Sequence, residues 1–232
     1  MTLPLYLAMT AAEITPYSHT AYMACHFSPY STGLSNLPQD LPPGCMIIIN
    51  DRIPVQGHDP QIILAQLHQL CTQLRPESIL LDMQRAPTTD AETVVEAICT
   101  EASCPVAVSE LYASKYTCPV FLSSPPIHKT LDAHITPWKG RQIWLEAATE
   151  LCSYVVTERD CALQYLPQEE PAYECPQLFC HYSIRKTDES AIITLERTRD
   201  DLIKLLATAE GSGITKAIGL YQQLNGINYL QP

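Results

Sequence analysis

Basic residues are scarce in this chain: 14 Lys and Arg stand against 25 Asp and Glu, a formal net charge of −11. A field of that sign repels nucleic-acid phosphates and the anionic face of a membrane, and no basic patch interrupts it, so neither is expected as a partner. Long apolar runs are also missing. No stretch approaches the roughly 18 residues that a spanning helix needs. The opening MTLPLYLAMTAA has no positive n-region and is broken by Pro4. It reads as a strand rather than a secretion signal, and the cytosol is the expected compartment. The eight glycines build no phosphate-cradling loop, and neither a P-loop nor a G-x-S-x-G elbow occurs. His19, His26, His58, His68, His128, His134 and His181 form no H-x-x-x-H pair. No cofactor is implied.

Cysteine, by contrast, is plentiful, with ten residues. Without a secretion signal these read as reduced thiols packed as small hydrophobes. Cys175 and Cys180 followed by His181 (CPQLFCH) is the one spacing that hints at zinc. No second ligand pair follows at a familiar interval, so no metal is expected.

Several short apolar runs end abruptly in polar residues: 3–10, 20–28, 45–52, 78–85, 105–112, 119–124, 142–148 and 216–223. Most are continuous rather than alternating, as suits strands buried on both faces of a parallel sheet. Helical stripes separate some of them. Asp59–Leu74 starts with an N-cap and first-turn proline, Thr89–Ala102 carries acids in its first turn, and Thr198–Gly211 stops at glycines. A short helix is expected near 127–134. Strand and helix in alternation, with eight strand candidates, predict a (β/α)8 barrel of the TIM type. The connections 11–20, 113–118 and 125–141 are too short or proline-rich for full crossover helices. Either these crossovers are degenerate or two neighbouring strands pair antiparallel. The segment 149–197 reads as a β-rich insertion, with turns at Glu158–Asp160 and Asp188–Ser190 and a loop at 167–177 between two strand pairs. The whole chain, 1–232, is expected to be one barrel domain carrying that insertion.

In a parallel barrel the residues just past each strand converge on one mouth. Those positions hold His26, Asn50, Asp51, Arg52, Asp82, Gln84, Arg85, Ser109, Glu110, Ser123, Glu146, Tyr221 and Gln222. Four of them, Asp51, Asp82, Glu110 and Glu146, are carboxylates from different strands. Glycoside cleavage uses two carboxyl groups across the scissile bond, one of them protonated. Carboxylates at strand ends also cap helices and pair with arginines such as Arg52 and Arg85, and a cluster of four favours a ligand site because gathering that charge is costly.

The segment FCHYSIRKTDESAIITLERTRDDLIKLLATAEGSGITKAIGLYQQL (179–224) resembles the C-terminal end of family-18 glycoside hydrolases, notably the branch of spore-cortex lytic enzymes. That branch ends in a Tyr-containing strand, a turn, an acidic strand, a helix and a final G-h-x-x-W strand. Here Tyr182, the turn at Asp188–Ser190, Glu196, the helix from Arg199 and Ile218–Tyr221 match it, with Tyr221 at the floor tryptophan. The resemblance further implies a fourth-strand motif D-x-x-D-x-D-x-E. In PESILLDMQR (76–85), Asp82 falls at its third Asp and Gln84 at the catalytic Glu. A glutamine donates hydrogen bonds but cannot protonate a leaving group.

The implied function is therefore binding of an amino-sugar-containing glycan or cell-wall fragment without classical chitinase activity. Gln84, Arg85, Asp51, Asn50, His26 and Tyr221 would contact the ligand, with Trp144 as a wall. The alternative is an active glycosidase with relocated carboxylates, using Glu110, Glu146 and Asp82. A scaffold protein with no sugar ligand is the third reading, since fold does not fix function.

Overall fold

A computed structural model describes residues 3–13, 19–157, 160–164 and 173–224. The first half of the chain gives β1 (Leu5–Met9), β2 (Thr20–Phe27), a two-residue β3 (Leu34–Ser35), β4 (Met46–Asn50), α1 (Pro60–Leu74), β5 (Ser78–Asp82), α2 (Thr89–Glu101), β6 (Val106–Ser109) and α3 (Glu110–Ala113). There follow β7 (Val120–Leu122), α4 (Leu131–Ile135), a 3-10 turn (Thr136–Trp138) and β8 (Ile143–Glu146). Five strands come next: β9 (Glu150–Thr157), β10 (Cys161–Gln164), β11 (Tyr173–Cys175), β12 (Cys180–Lys186) and β13 (Ser190–Arg197). The described chain closes with α5 (Arg199–Ala209), β14 (Ile214–Leu220) and α6 (Tyr221–Leu224).

Strands β1, β2, β4, β5, β6, β7, β8 and β14 pair in parallel, and β14 pairs back onto β1, so the sheet closes into the expected eight-stranded barrel. No two of these strands run antiparallel; only β3, on the rim, pairs that way with β2. The short connections carry degenerate crossovers instead. Between β6 and β7 there is one helical turn, α3, formed by residues expected to continue the strand, and between β7 and β8 only α4 and the 3-10 turn. Residues 14–18, in the connection from β1 to β2, lie outside the described residues.

The helices start where the sequence supplies caps. Asp59 accepts from Gln61 N at 2.9 Å ahead of Pro60. Thr88 accepts from Ala91 N, and Thr198 with Asp201 forms a capping box. The buried stripes Ile63, Leu64, Leu67 and Leu70 of α1 and Ala91, Val94, Val95 and Ile98 of α2 face the outside of the barrel. The larger apolar core lies between barrel and helices; a second, inside the barrel, holds Tyr6, Met46, Ile48, Leu80, Phe121, Trp144 and Ile218. Strands buried on both faces explain the continuous apolar runs.

Segment 150–197 forms a separate five-stranded antiparallel sheet in the order β10-β9-β13-β12-β11. It includes β11 in a stretch expected to be loop. Residues 158–159, at the expected turn, and 167–172 of the expected loop lie outside the described residues. The sheet leaves the barrel just after β8, on the side where the parallel strands end. Arg197, 1% exposed, ties it there. Its guanidinium donates to Ser124 Oγ, to the carbonyls of Pro125, Leu178 and Phe179, and lies 3.6 Å from Glu150.

Candidate functional site

Side chains of a strand alternate between faces, so parity decides which strand-end residues enter the barrel. On β4, Met46 and Ile48 point inward and Asn50 follows them; on β5, Leu80 leads to Asp82; on β8, Trp144 leads to Glu146; on β14, Ile218 leads to Leu220. Ile48, Asn50, Leu80, Asp82, Glu146, Ile218 and Leu220 surround a cavity of about 150 Å³ at the mouth, whose wall also takes Ala8, Met23, Phe121, Ala147, Ala148, Gly219 and Gln223. Asp82 and Glu146, from strands β5 and β8, share this cavity.

Asp82 accepts a 2.5 Å hydrogen bond from Gln84 Nε2. Burial raises its carboxyl above the usual 3.8, the Gln84 bond opposes the rise, and the charges of Glu146 and Asp51 add to it. Glu146 accepts from the backbone N–H of Ser124 at 3.0 Å. Asn50 donates to the carbonyls of Met23 and Cys25 at 3.2 and 3.1 Å. This holds the irregularity in β2, where the register against β4 shifts between Tyr22 and Cys25. Gln223 Oε1 is buried without a hydrogen-bond partner among the described residues.

The remaining predicted site residues lie elsewhere. Asp51 is one position out of phase and buried. Its carboxylate accepts from the N–H groups of Gln84 and Arg85 at 2.9 and 2.8 Å, clasping the two strand-end loops together. Arg85 returns the contact, donating Nε to Asp51 O and Nη2 to Arg52 O. Glu110 begins α3 and turns aside to accept from Ser123 Oγ at 3.0 Å; it does not line the cavity. His26 is buried between Phe27 O, 2.7 Å from Nδ1, and Asn36 Nδ2, 3.2 Å from Nε2. Tyr221 starts α6 and packs on the core outside the barrel, and Leu220 lines the cavity in its place. Trp144, 2% exposed, is a core residue beneath the mouth rather than a wall of it.

Gln223 and Gly219 are among the contributors that were not foreseen. A Cβ on Gly219 would come within 2.4 Å of Ala147 O, so only glycine lets β14 approach there. A lone glycine inside the apolar run KAIGLY is the signal of such an approach.

Among the described residues, Glu174, His181 and Asp201 are the metal-capable groups that lie close together, within 4.8 Å. They sit on β11, β12 and α5, away from the mouth. His181 Nδ1 is 2.9 Å from Asp201 Oδ2, and Lys204 Nζ is 2.6 Å from Glu174, so each of the three already has a protein partner. Cys175 faces Cys180 across the β11–β12 pair, and Cys180 is buried beside Ile127 and Cys152. Strand alternation sends His181 to the other face, so CPQLFCH does not converge.

No family model matches this chain, and no curated protein matches it in sequence. Solved structures do match its shape. A plant class V chitinase from Nicotiana tobaccum, solved as a Glu-to-Gln mutant in complex with NAG4, superposes with a TM-score of 0.55 at 10% identity, over 94% of this chain and 93% of that one. The spore cortex-lytic enzyme SleL of Bacillus cereus gives 0.53 at 8% identity, over 94% and 70%. A chitinase of Chromobacterium violaceum gives 0.52 at 8% identity, over 98% and 97%. The barrel of the present chain is thus the fold of these glycoside hydrolases, as the resemblance in its C-terminal segment implied.

Proposed function

We propose that the chain binds an amino-sugar-containing glycan, such as a cell-wall fragment, at the mouth of its barrel and does not carry out classical chitinase hydrolysis. One observation carries the reading: Gln84, at the position of the expected acid, is hydrogen-bonded to Asp82, which shares the mouth cavity with Glu146. An amide there orients a ligand but has no proton to give a leaving group.

The cavity is about 150 Å³, below the ~300 Å³ at which drug-sized pockets begin. It suits one small substituent rather than a saccharide chain. Its wall is apolar at Met23, Ile48, Leu80, Phe121 and Leu220 and polar at Asn50, Asp82, Glu146 and Gln223. An acetamido group has that division: a methyl for the apolar wall, an N–H for a carboxylate or for Gln223 Oε1. The sugar rings would then lie across the rim near Gln84 and Arg85. The shared fold with chitinases, one of them solved with NAG4, supports the same ligand class.

The test is a thermal-shift and calorimetric titration with N-acetylglucosamine oligomers and muropeptides. Wild-type protein is expected to be stabilised without releasing reducing ends, and Asp82→Asn to bind at least tenfold more weakly. Gln84→Glu is expected to gain measurable hydrolysis. A wild type that none of these sugars stabilises would end the reading.

A second reading has its own support. Asp82, whose carboxyl is raised above its usual value chiefly by burial, shares the mouth cavity with a second carboxyl group, Glu146, and glycoside cleavage uses two carboxyl groups. Reducing-end release by wild-type protein, abolished by both Asp82→Asn and Glu146→Gln, would establish it over the binding role.

A further inference from the structure

At the end of the barrel opposite the mouth, four of the ten cysteines meet in two pairs. Cys71, in the last turn of α1, has its Sγ 3.6 Å from that of Cys104, in the turn leading into β6. Cys99, in the last turn of α2, has its Sγ 3.7 Å from that of Cys118, in the turn leading into β7. All four are half-buried free thiols. Cys99, Cys104 and Cys118 line one open groove of about 580 Å³ with Lys115 and Gln142. Packing as small hydrophobes would not call for sulfurs meeting two by two across separate elements.

The pairs also differ chemically from the thiols of the core. Burial pushes Cys25 up to about 12 and Cys45 up to about 11, which leaves them inert near neutrality. Cys71 is drawn down to about 6, chiefly by the hydrogen bond it shares with Cys104, helped by Ser103 and His68 against the effect of burial. Cys118 is drawn down to about 7 by the bond shared with Cys99 and by the charge of Arg141, which donates to Cys118 O. Each pair therefore shares one S–H···S contact, which favours ionisation of one sulfur while the other holds the proton, unlike the isolated thiols of the core.

We propose that Cys71–Cys104 and Cys99–Cys118 are two disulfide-forming dithiols whose reaction partner is a low-molecular-weight disulfide of the glutathione type. The thiolate of Cys71 attacks one sulfur of the small disulfide, forming a mixed disulfide and expelling one small thiolate. Cys104 loses its proton and attacks the Cys71 sulfur, closing the protein disulfide and expelling the second thiolate. The two protein sulfurs are oxidised and the small disulfide is reduced to two thiols, one taking the proton that Cys104 gives up and the other a proton from water. Cys118 and Cys99 play the same parts in the second pair. Closure needs the sulfurs to draw from 3.6 and 3.7 Å to about 2.05 Å.

The test exposes the whole protein to oxidised glutathione, alkylates the remaining thiols and digests it with trypsin and a glutamate-specific protease, which cuts after Glu101 between Cys99 and Cys104. The expected result is loss of four alkylatable thiols per chain, recovered as cross-linked peptides joining Cys71 to Cys104 and Cys99 to Cys118. In Cys104→Ser and Cys99→Ser variants, Cys71 and Cys118 should stop at the mixed disulfide with glutathione. The proposal is overturned if the exposed Cys161 alone reacts, if the cross-links join other partners, or if the serine variants accumulate no mixed disulfide.

Discussion

The two ends of the barrel interior treat charge in opposite ways. At the closed end, Lys216 projects inward and is fully matched. Its Nζ lies 2.6 Å from Glu77, 3.3 Å from Ser78 Oγ, 4.9 Å from the Tyr6 ring centroid and 4.6 Å from that of Trp144. Tyr6 donates to Glu77 at 2.5 Å, and burial with that carboxylate pushes its phenol far up. Burial works to raise the Glu77 carboxyl, but the bonds from Lys216 and Tyr6 outweigh it and hold the group down. At the mouth, Asp82 and Glu146 share a cavity with no basic side chain in its wall, and Gln223 Oε1 has no partner among the described residues. One strand, β14, carries both regimes, with Lys216 near its start and Leu220 at the cavity. The contrast teaches where to look for function: polar groups left unmatched inside a packed barrel are there for something other than stability.

The largest effect that tests the contrast is expected from Trp144→Ala. As a core ring beside Lys216, its loss should cost about 3–5 kcal/mol, and at roughly 2–4 °C per kcal/mol for a chain of this size the melting midpoint should fall by about 10 °C. An unchanged midpoint with lost glycan binding would return Trp144 to the ligand wall. Next is Lys216→Met, which strands Glu77 and Tyr6. Breaking a buried pair costs ~3–5 kcal/mol; because Glu77 remains 41% exposed, water screening reduces this to about 2 kcal/mol, readable by urea denaturation.

Asp82→Asn should act with the opposite sign, stabilising the unliganded protein by up to about 1 kcal/mol at neutral pH while weakening binding. Its pH dependence follows from the raised carboxyl. The native state holds the Asp82 proton more tightly than the unfolded chain does. The stabilisation this gives is complete below 3.8 and is lost as pH rises through the higher native value. Wild type minus Asp82→Asn, plotted as unfolding free energy against pH, should therefore decline through that window and then level off; a flat difference would remove the mouth's claim to uncompensated charge. The smallest effect is expected from Glu110→Gln: a change under ~0.5 kcal/mol and unaltered glycan affinity, since this side chain turns to Ser123 and away from the cavity.

The architecture was legible because continuous apolar runs are the direct trace of strands covered on both faces, and all eight runs became barrel strands. The site was legible only in part. Apolar runs say where a strand ends but not which parity faces inward. Asp82 and Glu146 fell on the inner parity, whereas Asp51 fell one residue beyond it and Glu110 entered a helical turn. Tyr221 was misplaced for a related reason: β14 ends at Leu220, and α6 begins with the tyrosine. Gln223 left no trace, because a glutamine in a short terminal helix looks like surface until the helix folds back over the barrel. The paired cysteines were likewise unreadable, since each partner lies on a different βα unit.

Arg197 gives the outer sheet a defined attachment. A guanidinium so deeply enclosed is tolerable only while its carbonyl and hydroxyl acceptors stay in place, and these come from both sides: Leu178 and Phe179 on the sheet, Ser124 and Pro125 on the barrel rim. Ser124 is also the residue whose N–H holds Glu146. The five strands are thus riveted to the same short rim segment that aims a mouth carboxylate, and prising them away would loosen that carboxylate with them.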